Sequence, residues 1–380
     1  MENVVQVVTD NASNCAGMGR LLETEFPRIV WTPCASHCID LMLEDMGQLD
    51  WMKEIMKEAS SIVSFFTGKH KVLSMFREYS PKELKKPAAT RFAYTWLLLE
   101  RLYDVRSPLR QTVVSTMWNE WDEAGSIEAK EMQRKCLSEE FWNRVKAVVI
   151  ALTPYYRVLR MTDMEGATLG LLIHFMREAK EELLSCTLLS KSEHYDLLKI
   201  VDSRYKWMRR PIHGLAALLH PAYKSPTLAN DRELLANRDT YLVKVLDENQ
   251  RGAFLKELIN YTNQRGGVAF TSPHTWRREY LIKPLFWWES FGYDHSHLQQ
   301  IASRLLAQDC SSGACERNWN SSSLIHTKIR NKLSSRQLER LVYCRSNMRM
   351  LRAMQSMDEA RQVSRSSIFF LKFQFSTFNF

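Results

Sequence analysis

Three observations predict an α/β fold that is predominantly helical. Two β-branched runs of strand length, residues 4–9 and 29–32, stand close together near the start of the chain. Each is followed by apolar residues at helical spacing, which gives the order strand, helix, strand, helix. From residue 67 to about 300 strand-like runs vanish, and amphipathic segments succeed one another across short polar breaks.

The elements can be justified in turn. The first run, Val4-Val5-Gln6-Val7-Val8-Thr9, ends abruptly at Asp10, and residues 11–14 supply helix-cap chemistry. Met18, Leu21, Leu22 and Phe26 then mark one helical face before Pro27. Beyond the second strand, residues 38–66 read as one long helix carrying Ile39, Leu41, Met42, Leu43, Met46, Leu49 and Met52. In the helical region, Trp142, Val145, Val148, Val149, Leu152, Tyr156 and Leu159 fall on one stripe, and Leu169, Leu172, Phe175 and Met176 fall on another. Such stripes form core far more often than ligand sites. The acid-rich breaks at 119–123 and 163–166 read as exposed loops. Ser334 and Gln337 fit a capping box ahead of a helix whose face bears Leu338, Leu341, Val342, Met348 and Leu351. The tail, residues 353–380, ends in alternating aromatic and polar residues unlike anything before it.

With 380 residues, of which 45% are hydrophobic and 11% aromatic, the chain can bury a sizeable core in two packed regions. Apolar runs such as Leu215-Ala216-Ala217-Leu218-Leu219 fall far short of the ~20 residues of a membrane span. The start has neither a secretory signal nor a transit-peptide composition, so a cytosolic or nuclear protein is expected. Eight scattered cysteines suit reduced core thiols better than a disulfide framework. Charge is uneven. From Arg317 onward twelve Lys or Arg face three acids, Glu339, Asp358 and Glu359, so this stretch holds the entire excess of +9. A basic face of this kind suits nucleic acid, and an ordinary solvated helix face is the plain alternative.

Several residues could carry chemistry. Asp10, at a strand end, could hold a metal ion or simply cap a helix. Glu316 sits just inside a helix that Ser312 could cap, where an acid complements the helix dipole. Cys34-Ala35-Ser36-His37-Cys38 has zinc-ligand chemistry, but no second Cys/His pair completes four ligands, so zinc is not expected. Arg204-Tyr205-Lys206-Trp207-Met208-Arg209-Arg210 and Trp276-Arg277-Arg278 interleave bases with aromatics, and either phosphate contact or surface snorkelling would account for them.

Taken in order, Thr9-Asp10-Asn11-Ala12-Ser13-Asn14, Cys34 to Cys38, Ala89-Thr90-Arg91-Phe92, Cys315-Glu316-Arg317-Asn318-Trp319, residues 325–331 and Leu341-Val342-Tyr343 resemble plant hAT-superfamily transposases. The resemblance runs from residue 3 to about 352. It implies a partial RNase H-like core (its last two strands and the following helices) interrupted by a large all-α insertion, and C-terminal helices that dimerise. The corresponding boundaries are 1–66 for the core part, 67–300 for the insertion, 301–352 for the final core helix and dimerisation region, and 353–380 for the tail.

The resemblance further implies two-metal cut-and-paste chemistry, in which three carboxylates hold Mg²⁺. Asp10 matches the second aspartate and Glu316 the final glutamate. The first aspartate would lie upstream of residue 1, so an N-terminally truncated, catalytically inactive chain without resident Mg²⁺ is expected, with an active transposase fragment as the alternative. Cys34 and His37 correspond to a pair beside the catalytic centre that contacts DNA. Arg91 and Phe92 match an Arg-Trp pair whose aromatic stacks on DNA, although Phe92 could equally be core. Lys328, Arg330, Lys332 and Arg336, with Arg340 and Arg345, are the stronger candidates for contacting DNA, and Leu338, Leu341, Val342, Met348 and Leu351 are the expected dimerisation residues. DNA and a second copy of the chain are the expected partners, in the nucleus.

Overall fold

The computed structural model describes residues 4–85, 93–164, 166–325 and 333–366. The chain is mostly helical with one small two-stranded sheet, as the sequence predicts. It divides into two compact units, Met1–Ser312 and Gly313–Phe380.

The first unit opens with strand β1 (Gln6–Thr9), helix α1 (Ser13–Glu25), strand β2 (Val30–Pro33) and helix α2 (Ala35–Gly47). The strands pair in parallel, with Gln6 opposite Val30 and Thr9 opposite Pro33. β2 is buried along its length, whereas β1 is half-buried at every position. This asymmetry marks β1 as the strand nearer water.

The expected helical face of α1 packs only in part: Leu22 and Phe26 are half-buried. Leu21 is 73% exposed and Met18 is exposed as well. Instead Gly19 meets the Trp31 indole so closely that an added Cβ would fall 2.3 Å from the ring. Backbone contact with an aromatic ring has overridden the apolar pattern. Gly19→Ala gains ~1 kcal/mol of helix propensity but incurs an overpacking cost of ~1–3 kcal/mol, so a net loss of stability is expected. Urea unfolding of the variant would check this, and a rise in midpoint would contradict it.

The single helix expected over residues 38–66 is in fact two, α2 and α3 (Asp50–Gly68). The break falls where Gly47 ends one helix and Asp50 supplies an acid to the first turn of the next. Gln48 N–H donates to the Glu44 and Asp45 carbonyls to close the bend.

The helical series continues with α4 (His70–Tyr79), α5 (Ala93–Asp104), α6 (Arg106–Val114), α7 (Thr116–Asn119) and α8 (Ile127–Leu137). The acid-rich break after α7 does expose Glu120, Asp122 and Glu123, yet Trp121 within it is buried against Trp118 and Phe65. Next comes α9 (Glu139–Thr162), which packs against α2, α3, α5 and then α10 (Leu172–Ser185). Its buried Trp142, Val145, Val148, Leu152 and Leu159 lie on the predicted stripe.

The rest of this unit comprises α11 (Lys191–Met208), α12 (Pro211–Leu219), α13 (Pro226–Ala229), α14 (Arg232–Val245), α15 (Glu248–Thr262), α16 (Val268–Thr271), α17 (Arg278–Leu281), α18 (Pro284–Phe291) and α19 (Ser296–Leu306). The main hydrophobic core draws on residues from Val5 to Cys310, and Ile173, Ala217, Leu218, Leu228 and Leu234 form a smaller cluster. The second unit is built from α20 (Gly313–Ile325) packed against α21 (Ser335–Ser366). The predicted capping box is present at the start of α21: Ser334 N–H donates to Gln337 Oε1 (3.3 Å), and Gln337 N–H donates to Ser334 Oγ (3.4 Å).

Candidate functional site

Parallel strands present their carboxyl ends on one side of a sheet, and both N-terminal motifs gather there. Cys34 N–H donates to the Thr9 carbonyl at 2.7 Å, which ties the end of β2 to the end of β1. Thr9 Oγ1 accepts from Trp31 Nε1 (2.9 Å) and lies 3.0 Å from the Asp10 carbonyl. Asp10 is thereby held just beyond β1, with its side chain exposed.

Asp10 stands two residues before Ala12, the N-cap of α1, and does not cap that helix. Its Oδ1 accepts from Ala12 N–H at 3.2 Å. A hydrogen bond from the Cys15 thiol, followed by that Ala12 bond and the nearby His37, holds the carboxyl below the usual carboxylate range, against a small opposing effect of burial. The group is a carboxylate at neutral pH. The same contact pushes the Cys15 thiol up.

His37 is half-exposed in the first turn of α2, whereas Cys34 and Cys38 are buried. Cys34 Sγ lies 3.5 Å from Ser311 Oγ and 3.4 Å from the donating Ser312 N–H. Cys38 Sγ accepts from Asn11 Nδ2 at 3.1 Å, and burial pushes this thiol up to about 12. Both sulfurs have protein partners. Among the described residues, no group of three or more His, Cys, Asp and Glu is arranged to hold a metal ion.

Supports that the sequence reading missed come from far along the chain. Ala35 N–H donates to the Cys310 carbonyl (2.9 Å), and Ser36 Oγ lies 2.9 Å from Thr162 Oγ1 and 2.8 Å from Ser311 Oγ. Thr168 in turn bonds Asp309 and accepts from Cys310 N–H. No local pattern points to partners more than a hundred residues away.

The basic–aromatic stretch at 204–210 is engaged within its own unit. Arg204 Nε donates to Asp45 Oδ2, Arg209 pairs with Glu233, and the Arg210 guanidinium stacks 5.0 Å from the Trp31 ring centroid. These contacts favour the structural reading of the stretch over phosphate binding.

Glu316 falls in the first turn of α20, as expected. Arg91, Phe92, Lys328, Arg330 and Lys332 lie outside the described residues. Arg336 is exposed in the first turn of α21, and Arg340 and Arg345 are exposed further along it. Leu341, Met348 and Leu351 are also exposed, while Leu338 and Val342 are half-buried. An apolar helix face left to water in this way is unusual unless a partner covers it.

Residues 269–348 match the model of the hAT family C-terminal dimerisation region. Residues 1–62 match the model described as Domain of unknown function (DUF659). Together these two matches, which cover less than half of the chain, support a likeness to hAT-family transposases. No curated protein matches it. The dimerisation match supports a homodimer or higher oligomer. It also begins well before residue 301, so it takes in α18 and α19 of the first unit. None of the described helices is long and apolar enough to cross a membrane.

Proposed function

We propose that this chain is a transposase-derived protein that pairs with a second copy of itself and holds DNA nonspecifically through its phosphates. The observation that carries the reading is the dimerisation match over residues 269–348, which includes the exposed apolar and basic start of α21. Arg336, Arg340 and Arg345 present fixed positive charge to solvent there, and the sequence from Arg317 onward concentrates the chain's excess charge. Pairing would double that field on one assembly. A parallel strand pair with an acid at the end of its first strand supports reading the N-terminal elements as part of an RNase H-like core. A nuclear location accords with a DNA partner.

The test is fluorescence anisotropy of a labelled random-sequence duplex across salt concentrations. If about six phosphates are neutralised, affinity should fall ~10³-fold between 50 and 200 mM salt. Changing Arg336, Arg340 and Arg345 together to Gln should flatten the log–log slope by roughly 0.9 for each arginine that touches a phosphate. Absence of binding even at low salt would remove DNA from the reading.

A second reading, a fragment of an active cut-and-paste transposase, is favoured by the ionised, exposed Asp10 at the strand end. Asp10 and Glu316 each carry a carboxylate, a ligand type that suits Mg²⁺, and a two-metal centre uses three such groups. A further acid from another chain or segment would be needed. The purified chain is therefore expected not to nick supercoiled DNA in Mg²⁺. Nicking that Asp10→Ala abolishes would instead establish the catalytic reading.

A further inference from the structure

The dimerisation residues read from the sequence all lie on α21, yet another exposed apolar surface lies inside the matched region and belongs to the first unit. Tyr280, Phe286 and Phe291 form a mutually packed aromatic triad, with ring centroids 5.6–6.5 Å apart. Phe291 backs onto the fully buried Trp287 at 6.0 Å, so the triad rests on rigid core. Its outer side is open: Phe286 is 47% exposed, and Ile282 and Tyr293, which flank α18 in the chain, are 60% and 57% exposed.

We infer that this surface, centred on Phe286 with Ile282 and Tyr293, is a contact between two copies of the chain, additional to the one on α21. The inference rests on the dimer reading above and specifies part of its interface. Three observations select a second copy as the occupant. The surface falls within residues 269–348, the stretch matched to a dimerisation region. Around the apolar centre the same stretch carries Arg277, Arg278 and Lys283 as well as Glu279, Glu289 and Asp294, so bases and acids are balanced. Balanced charge suits an isologous interface, where one patch must complement itself, and it does not suit DNA. Large aromatics on a rigid base, ringed by polar residues, also have the composition of binding hot spots.

The experiment is sedimentation velocity on the full chain over a concentration series, together with hydrogen exchange of wild type at low and high concentration. Ile282→Lys with Phe286→Ser should raise the dimer Kd tenfold or more while leaving the circular dichroism unchanged. Backbone amides of residues 278–293 in wild type should exchange more slowly as the dimer forms, a readout that needs no variant to fold. If Leu341→Ser with Met348→Ser breaks the dimer while the 282/286 variant and the 278–293 amides show no effect, this surface is excluded and the dimer reading stands. If wild type is monomeric at every concentration, the dimer reading itself fails.

Discussion

Lowering the pH from 7.5 to 5 should remove ~6 kcal/mol of stability from the first unit, because the buried His213 and His220 and the half-buried His174 stay neutral in the fold. Burial lowers His174 to about 4, and His213 and His220 to about 3. For His174 a bond to the Ala217 carbonyl opposes the shift in part, and for His220 the neighbouring His174 adds to it. Each folded pKa lies below the unfolded value of ~6.5, so the unfolded chain takes up protons first as pH falls. The stabilising effect is therefore complete above pH ~6.5 and is lost as pH drops towards 4. Each histidine loses ~1.4 kcal/mol per pH unit across that window, or ~2 kcal/mol by pH 5. The total is comparable with the whole stability of many domains. Urea titrations at pH 7.5, 6 and 5 would measure it, and a free energy flat over that range would refute the assignment. His174 stacks on Tyr223 at 3.9 Å, so His174→Phe should keep the packing while making the pH dependence shallower.

The second large effect is expected at Trp288. This side chain is fully buried, donates Nε1–H to the Leu219 carbonyl at 2.9 Å, and lies 4.9 Å from the rings of both Tyr261 and Trp287. Trp288→Ala should cost ~3–5 kcal/mol for the lost packing and cavity. The stranded carbonyl adds ~1–3 kcal/mol unless water reaches it. Trp288→Phe restores part of the volume but not the donor, so it should fall between wild type and Ala. The residue lies inside the matched dimerisation region, so a deletion of residues 269–312 intended to yield a monomer should yield an unfolded chain. Thermal denaturation of the two variants would check the order. Equal midpoints for Ala and wild type would contradict it.

How far the fold could be read in advance differed from element to element. The strand pair was legible because β-branched runs of that length have few alternatives, and the α9 stripe was legible because a long buried helix must repeat its apolar positions. The capping box at Ser334 and Gln337 was legible because it is local chemistry. The break between α2 and α3 escaped notice because apolar residues continue through it, and Gly47 alone does not end a helix. The face of α1 was legible only in part because its closest packing uses no side chain at all, only Gly19 against Trp31. At the candidate site, the placement of Asp10 and of the Cys34–Cys38 motif followed from their strand ends. The roles of Thr162 and residues 309–312 could not be inferred, since nothing local to either segment encodes a partner so distant in sequence.

That distance affects how the protein is made. During synthesis β1, β2 and α2 leave the ribosome early, but the Cys310 carbonyl and Ser311 hydroxyl that complete the bonding of Ala35 and Ser36 emerge some 270 residues later. At ~5–20 residues per second, this segment waits on the order of tens of seconds before its native neighbours exist. Closure of so long a loop is also slow in refolding, where high contact order sets the rate. Throughout that interval Cys34 lacks the Ser311 hydroxyl and Ser312 amide that meet its sulfur in the finished fold.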